Sequence, residues 1–251
     1  MVDGLQETLT PIVQSIALPA SIAITHPDEE TGRPVPAVGT GVVVSIADRI
    51  FVATVDHVRH VPPEWLVLVL PGKASNRSPK IQRSGRRERE DLAWYEIDPR
   101  SLAGSSCTPV PLERLHVRSI TTPALYATGF AGAYLKVDAE SFLAGFFSFP
   151  TGVIGGDPLV VHWDPEHLTQ PGPGYARALP PTKGMSGGGL WTYQDGLVVE
   201  VRLVALLVSE TVGLKQATAI LIGHWLKMLS EDLPELAPVI AAHTAREARR
   251  A

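Results

Sequence analysis

From residue 38 onward the chain is a succession of short apolar runs, and this constrains its fold more than any other feature. The runs cover 42–46, 50–54, 65–70, 92–97, 124–130, 142–149, 158–163, 190–193, 197–208 and 216–222, with glycine, proline and aspartate between them. Most are too short for helices and rich in Val, Ile, Phe, Tyr and Trp, the types that suit a pleated, half-buried surface. Few helix-length patterns lie between them, so parallel strands joined by helical crossovers are disfavoured. An all-β sandwich or barrel is predicted. Residues 47–49 read as the tight turn of a hairpin.

Composition limits the function classes. With 251 residues, 45% apolar and 19% charged, the chain can bury a full core and does not read as disordered. A net charge of −4 gives no electrostatic case for nucleic-acid binding. The single cysteine, Cys107, excludes an intrachain disulfide framework and a cysteine-built zinc site. No apolar run approaches the ~20 residues that span a bilayer. Residues 1–7 carry no basic n-region of a secretory signal. The expectation is a cytoplasmic protein with neither membrane nor nucleic acid as partner.

The ends look helical. Leu5, Leu9, Ile12, Val13 and Ile16 recur at helical spacing, although Pro11 argues against one unbroken helix. Residues 223–233 and the Ala/Arg/Glu-rich 234–250 also read as helix, the last part fraying or docking on a partner. Residues 72–90 hold Lys73, Arg77, Lys80, Arg83, Arg86, Arg87 and Arg89 without interleaved aromatics, and read as a solvated loop. Residues 164–183, with five prolines, read as a long loop of the kind that is usually functional or mobile.

Three segments carry chemistry. His57 follows the run 50–54; Asp91 opens the run 92–97; Ser186 lies in Gly184-Met185-Ser186-Gly187-Gly188-Gly189. Taken singly, the histidine reads as a turn or core residue and the aspartate as a turn residue. His60 beside His57 and Asp56 invites zinc, but no third ligand appears at a recognisable spacing. The serine segment is more specific. Glycines let a substrate carbonyl approach backbone N–H groups closely, as an oxyanion hole requires. The three residues stand in the order His, Asp, Ser, 34 and 95 residues apart.

In this the sequence resembles the trypsin-like (chymotrypsin-fold) serine peptidases, with the texture of compact, disulfide-free bacterial members. Gly39-Thr40-Gly41 and Ala53-Thr54-Val55-Asp56-His57-Val58 look like the histidine motif, Asp91-Leu92-Ala93 like the aspartate motif, and 184–188 like the G-x-S-G-G serine motif. The resemblance spans about residues 22–229. It implies an all-β fold of two antiparallel six-stranded β-barrels, with an N-terminal helical segment and C-terminal helices. The first barrel would occupy about 20–110, the second 111–222 and the helices 223–251, in one peptidase domain. It also implies a serine endopeptidase needing no cofactor or metal. Ser186 would be the nucleophile, His57 the general base, Asp91 its orienting carboxylate, and the amides of Gly184 and Ser186 the oxyanion hole. Protein or peptide substrates follow, and a regulatory protein partner is a further expectation.

Two departures matter. Asp56 precedes the histidine where the family usually has a small residue, and could compete with Asp91 for the imidazole. Met185 precedes the serine where activated zymogens carry an aspartate, so no new-N-terminus switch is expected. For specificity, Pro180 occupies the base of the family's main pocket. Val208-Ser209-Glu210 resembles the strand that pairs with substrate, and Ala217, in Gln216-Ala217-Thr218-Ala219, the opposite wall. Cleavage after small or medium apolar residues is expected unless Glu210 turns into the pocket and recruits a basic side chain. Two rivals remain. The α/β-hydrolase nucleophile elbow fits poorly, because Pro180-Pro181 precede the serine and a strand-like run follows. The other is a catalytically weak or inactive module of the same fold that acts by binding or sensing.

Overall fold

The computed structural model describes residues 2–26, 38–58, 62–63, 66–71, 78–118, 120, 124–131, 136–137, 142–143, 146–163, 183–194 and 199–249. The chain is mostly β. It begins with helix α1 (Val2–Ala20), followed by β1 (Ser21–Thr25), β2 (Gly39–Ile46), β3 (Arg49–Thr54), β4 (Val67–Val69), β5 (Ile81–Arg87), β6 (Leu92–Ile97) and β7 (Val110–Pro111). Next come β8 (Ala124–Phe130), β9 (Lys136–Val137), β10 (Phe142–Leu143), β11 (Phe146–Gly155), β12 (Leu159–His162), β13 (Gly189–Gln194), β14 (Glu200–Thr211) and β15 (Gln216–Leu221). Helices α2 (Ile222–Asp232) and α3 (Ala237–Arg249) complete it.

The strands form two bodies of unlike closure. β8, β11, β12, β15, β14 and β13 close into a six-stranded antiparallel barrel. Its interior is a separate apolar core that includes Leu125, Phe149, Val161, Trp163, Leu190 and Leu207. The first half follows the path β4-β1-β2-β3-β6-β5, with β7 added parallel to β2. Among the described residues β4 and β5 do not pair, so this half is an open half-barrel rather than a closed barrel of six. Strands β2, β3 and β6 are buried almost throughout and supply Val42, Val44, Phe51, Val52, Tyr95 and Ile97 to the main core.

Three local expectations need correction. Helix α1 runs unbroken through Pro11. That ring is solvent-exposed, so water can serve the carbonyl that loses its helical donor. The buried stripe Leu9, Val13, Ala17 and Ala20 holds the helix against the body. The basic stretch is not a loop throughout: residues 81–87 are strand β5, paired with β6. The run 142–149 divides between β10 and β11, and β11 continues to Gly155.

The terminal helices bridge the two bodies. Helix α1 packs on β11 and β8 of the closed barrel and on β2 of the open half, and α2 lies against β5 and β6 of the open half as well as β14 and β15. Trp225 of α2 is fully buried and donates its indole N–H to the Ala93 carbonyl (3.0 Å). Trp94 returns the contact by donating to Asp232 (2.9 Å). Helix α3 docks through Ile240, His243 and Glu247. Glu247 takes both hydrogen bonds of a bidentate pair from Arg202 Nη1 (3.0 and 2.9 Å), and His243 Nε2 meets the Leu115 carbonyl at 2.9 Å. No helix among the described residues is long and apolar enough to cross a membrane.

Candidate functional site

The site lies where the open half meets the closed barrel, and each body supplies a different part. β3 ends at Thr54, and the chain turns through a 3-10 turn, Asp56–Val58, that carries His57. The β5–β6 turn ends on Asp91 at φ 52°, a left-handed conformation that aspartate tolerates better than most residues. This sharp turn brings both oxygens of one carboxylate onto one residue. Asp91 Oδ1 accepts the His57 backbone N–H at 2.9 Å, and Oδ2 lies 2.7 Å from Nδ1. An ionised carboxylate only accepts, so Nδ1 carries the proton and Nε2 keeps its lone pair. The pair is open to solvent, with His57 44% and Asp91 29% exposed.

Asp56 takes a different position from its neighbour. It is buried, its Oδ1 has no hydrogen-bond partner, and the imidazole's Nδ1 is engaged by Asp91 alone. The competition that the sequence allows between the two carboxylates is therefore resolved for Asp91 in this geometry.

Ser186 comes from the closed barrel. Its turn is bound to the open half through Thr40 of β2. The Thr40 N–H donates to the Ser186 carbonyl (2.7 Å), and its hydroxyl donates to the Gly184 carbonyl (2.8 Å) and accepts from the Phe130 N–H (2.9 Å). These contacts explain two of the glycines. Gly187 has φ 82°, and a Cβ there would overlap the Thr40 carbonyl oxygen; one on Gly188 would overlap the Thr128 carbonyl. The turn is glycine-dense because backbone packs on backbone there. Strand β13 follows it, where a nucleophile elbow would place a helix. Met185 points into the barrel core.

The Ser186 hydroxyl donates to the Val208 carbonyl at 3.0 Å and makes no bond to His57. Val208 sits at a bulge, where the β14–β15 register shifts between Leu207 and Ser209. A bulge re-aims a backbone group, here a carbonyl turned toward the serine. Leu207 still exchanges backbone hydrogen bonds with Gly187 and Gly188 of the serine turn, and beyond it β14 pairs with β15 on one side only. Residues 208–211 thus present a strand edge beside Ser186. Among the described residues, the amides of Gly184 and Ser186 have no backbone acceptor.

A cleft of about 320 Å³ joins these parts. His57, Ser186, Ser209, Glu210 and Ala217 line it together. Pro180 lies outside the described residues, as does His60. Sequence reasoning missed three lining residues. Lys183 directly precedes the serine turn, Leu207 of β14 precedes the Val208 bulge, and Trp163 directly follows β12, which pairs with β15 through Val161 and Ala217. Position beside the motif could have signalled Lys183; only strand register places Trp163. Burial alone shifts the Glu210 carboxyl upward from its ordinary pKa. Cys107 does not line the cleft; it is half-buried against the main core, and burial pushes its thiol up to about 12, which disfavours the reactive thiolate.

No protein-family model matches the sequence, and no curated protein is significantly similar to it.

Proposed function

We propose that the protein is a serine endopeptidase of the trypsin-like type, its open half and closed barrel corresponding to that family's two barrels. The observation that carries this reading is that His57, doubly held by Asp91 in one body, lines the same cleft as Ser186 of the other. An oriented imidazole beside a hydroxyl in a glycine turn is the equipment of acyl transfer. In this scheme Ser186 Oγ attacks the scissile carbonyl while its proton passes to His57 Nε2. The amides of Gly184 and Ser186 receive the developing oxyanion. His57 then protonates the leaving amine, and water repeats the sequence on the acyl-enzyme. Asp91 holds the tautomer and stabilises the imidazolium.

The Ser186–Val208 bond fits into this scheme as a resting state. A peptide that adds to the open edge of β14 donates a backbone N–H to an outward carbonyl, the usual mode of β-augmentation. Taken up this way, Val208 no longer holds the hydroxyl, which turns to His57. The same bond favours the second reading, a peptide-binding module whose serine is never released. Labelling with a fluorophosphonate separates the two. The peptidase reading requires labelling of Ser186 that disappears in His57→Ala; no labelling in the intact protein, or labelling indifferent to His57, removes it.

A further inference from the structure

Resting on the peptidase reading, we propose that Glu210 makes the cleft selective for a cationic side chain, a lysine or arginine of the substrate, in place of the small apolar residue expected from sequence. Glu210 on β14 stands directly opposite Ala217 on β15. Residues directly opposite share one face of a sheet. Ala217 belongs to the interior core of the closed barrel, together with Trp163, Met185 and Leu207. The Glu210 side chain therefore leaves the strand on the interior face, at the barrel's mouth, and lines the same cleft as Ser186.

Two other acids withdrawn from water, Glu96 and Glu247, carry arginine partners: Glu96 is met by Arg49 and Arg83, both at 2.7 Å, and Glu247 by Arg202 at 2.9 Å. Glu210 is half-buried, and among the described residues no positively charged neighbour acts on it. A carboxylate partly stripped of water beside a candidate nucleophile has most to gain from a cation supplied from outside. The cleft volume lies in the range of small-molecule sites. Trp163 and the apolar walls would cover a methylene stem while the charged head meets Glu210. Lys183 also lines the cleft but is exposed and forms no ion pair with Glu210, so water screens its charge.

The test separates binding from hydrolysis. In a Ser186→Ala background, 4-aminobenzamidine, an aromatic cation, is titrated by fluorescence beside its uncharged analogue 4-aminobenzamide. The amidine should bind clearly more tightly than the amide, and Glu210→Gln should weaken it roughly tenfold or more while leaving the amide unchanged. The amidine–amide comparison needs no change at Glu210, so it holds even where the Gln variant misfolds. Digestion of a peptide library by the unaltered protein should show cleavage after Lys and Arg that Glu210→Gln abolishes. Amidine binding that is no tighter than the amide, or is indifferent to Glu210, overturns the proposal. So does a preference for acidic side chains that Lys183→Ala removes. Fluorophosphonate labelling without Glu210-dependent amidine binding sinks this inference alone; Glu210-dependent binding without labelling sinks the peptidase reading and leaves a cation site.

Discussion

The two β bodies solve the same problem differently. The closed barrel pairs its strands around a ring, and its rim presents the serine turn, the Val208 bulge and the short free stretch of β14 to the cleft. The open half keeps β5 as an edge strand, a standing invitation to unwanted pairing. It is guarded by charge and by cover. Arg83 and Arg87 on β5 engage Glu235 and Asp232 from the C-terminal helical segment, at 3.3 and 2.5 Å. The lesson is that closure confines the free edge to a rim that can line a cleft, while an open sheet needs partners from elsewhere in the chain.

On the peptidase reading proposed above, the largest test of this division removes one part of the site from each body. Ser186→Ala should lower kcat by about 10⁶-fold and Asp91→Asn by about 10⁴-fold, in a peptide-hydrolysis assay with folding checked by circular dichroism. Asp56→Ala should have a far smaller effect. A loss as large as that of Asp91→Asn would reverse the roles of the two carboxylates.

Next comes the seam. Gly187→Ala places a methyl group against the Thr40 carbonyl in a left-handed conformation, and should cost about 3 kcal/mol or more in urea unfolding. A loss below about 1 kcal/mol would show that the two bodies slide freely there.

Glu247→Gln tests how the closed barrel is fastened to α3. It removes the buried one of the two carboxylates that hold Arg202, 5% exposed, leaving only the more exposed Glu200, and should cost about 2 kcal/mol. Burial pushes the Glu247 carboxyl up, but the Arg202 hydrogen bonds outweigh this and hold it below the ordinary carboxylate range. A lowered folded pKa gives stability that is present above the unfolded value and lost as pH falls through the folded one. The urea midpoints of the two proteins should therefore differ at neutral pH and converge in acid.

The smallest effect sharpens the contrast most. Asp232→Asn, which weakens the cover on β5, should cost about 1 kcal/mol. Hydrogen exchange should quicken in β5 and β6 while the closed barrel's amides keep their protection. Equal quickening in both would mean that the two bodies open as one.

Much of the fold could be read locally. The runs 92–97 and 124–130 are β6 and β8 to the residue, because Gly, Pro and Asp punctuate compact apolar stretches. β5 could not be read this way. Its exposed Arg-rich pattern resembles a loop, and its acidic partners Asp232 and Glu235 lie 145 and 152 residues away. Helix α1 was half legible, since the buried stripe shows in the sequence but the solvent-facing side of Pro11 does not. At the site, residue order suggested His57, Asp91 and Ser186. The Val208 acceptor escaped notice because a bulge is a property of two strands in register, and Trp163 for the same reason.

The terminal helices bear on the order in which the molecule can be built. A chain made from its N-terminus lays down the open half first, yet the groups that cover that half, Trp225, Asp232 and Glu235, emerge much later. Arg49 and Glu235 meet across 186 residues, Trp94 and Asp232 across 138. Helix α1 can dock on β2 early but meets β8 and β11 only after the open half has been made. The half synthesised first is thus completed last, and contacts of such long sequence separation form slowly. The chain is fastened like a clasp, with α1 at one end and α2 at the other each bridging the two bodies whose strands line the cleft.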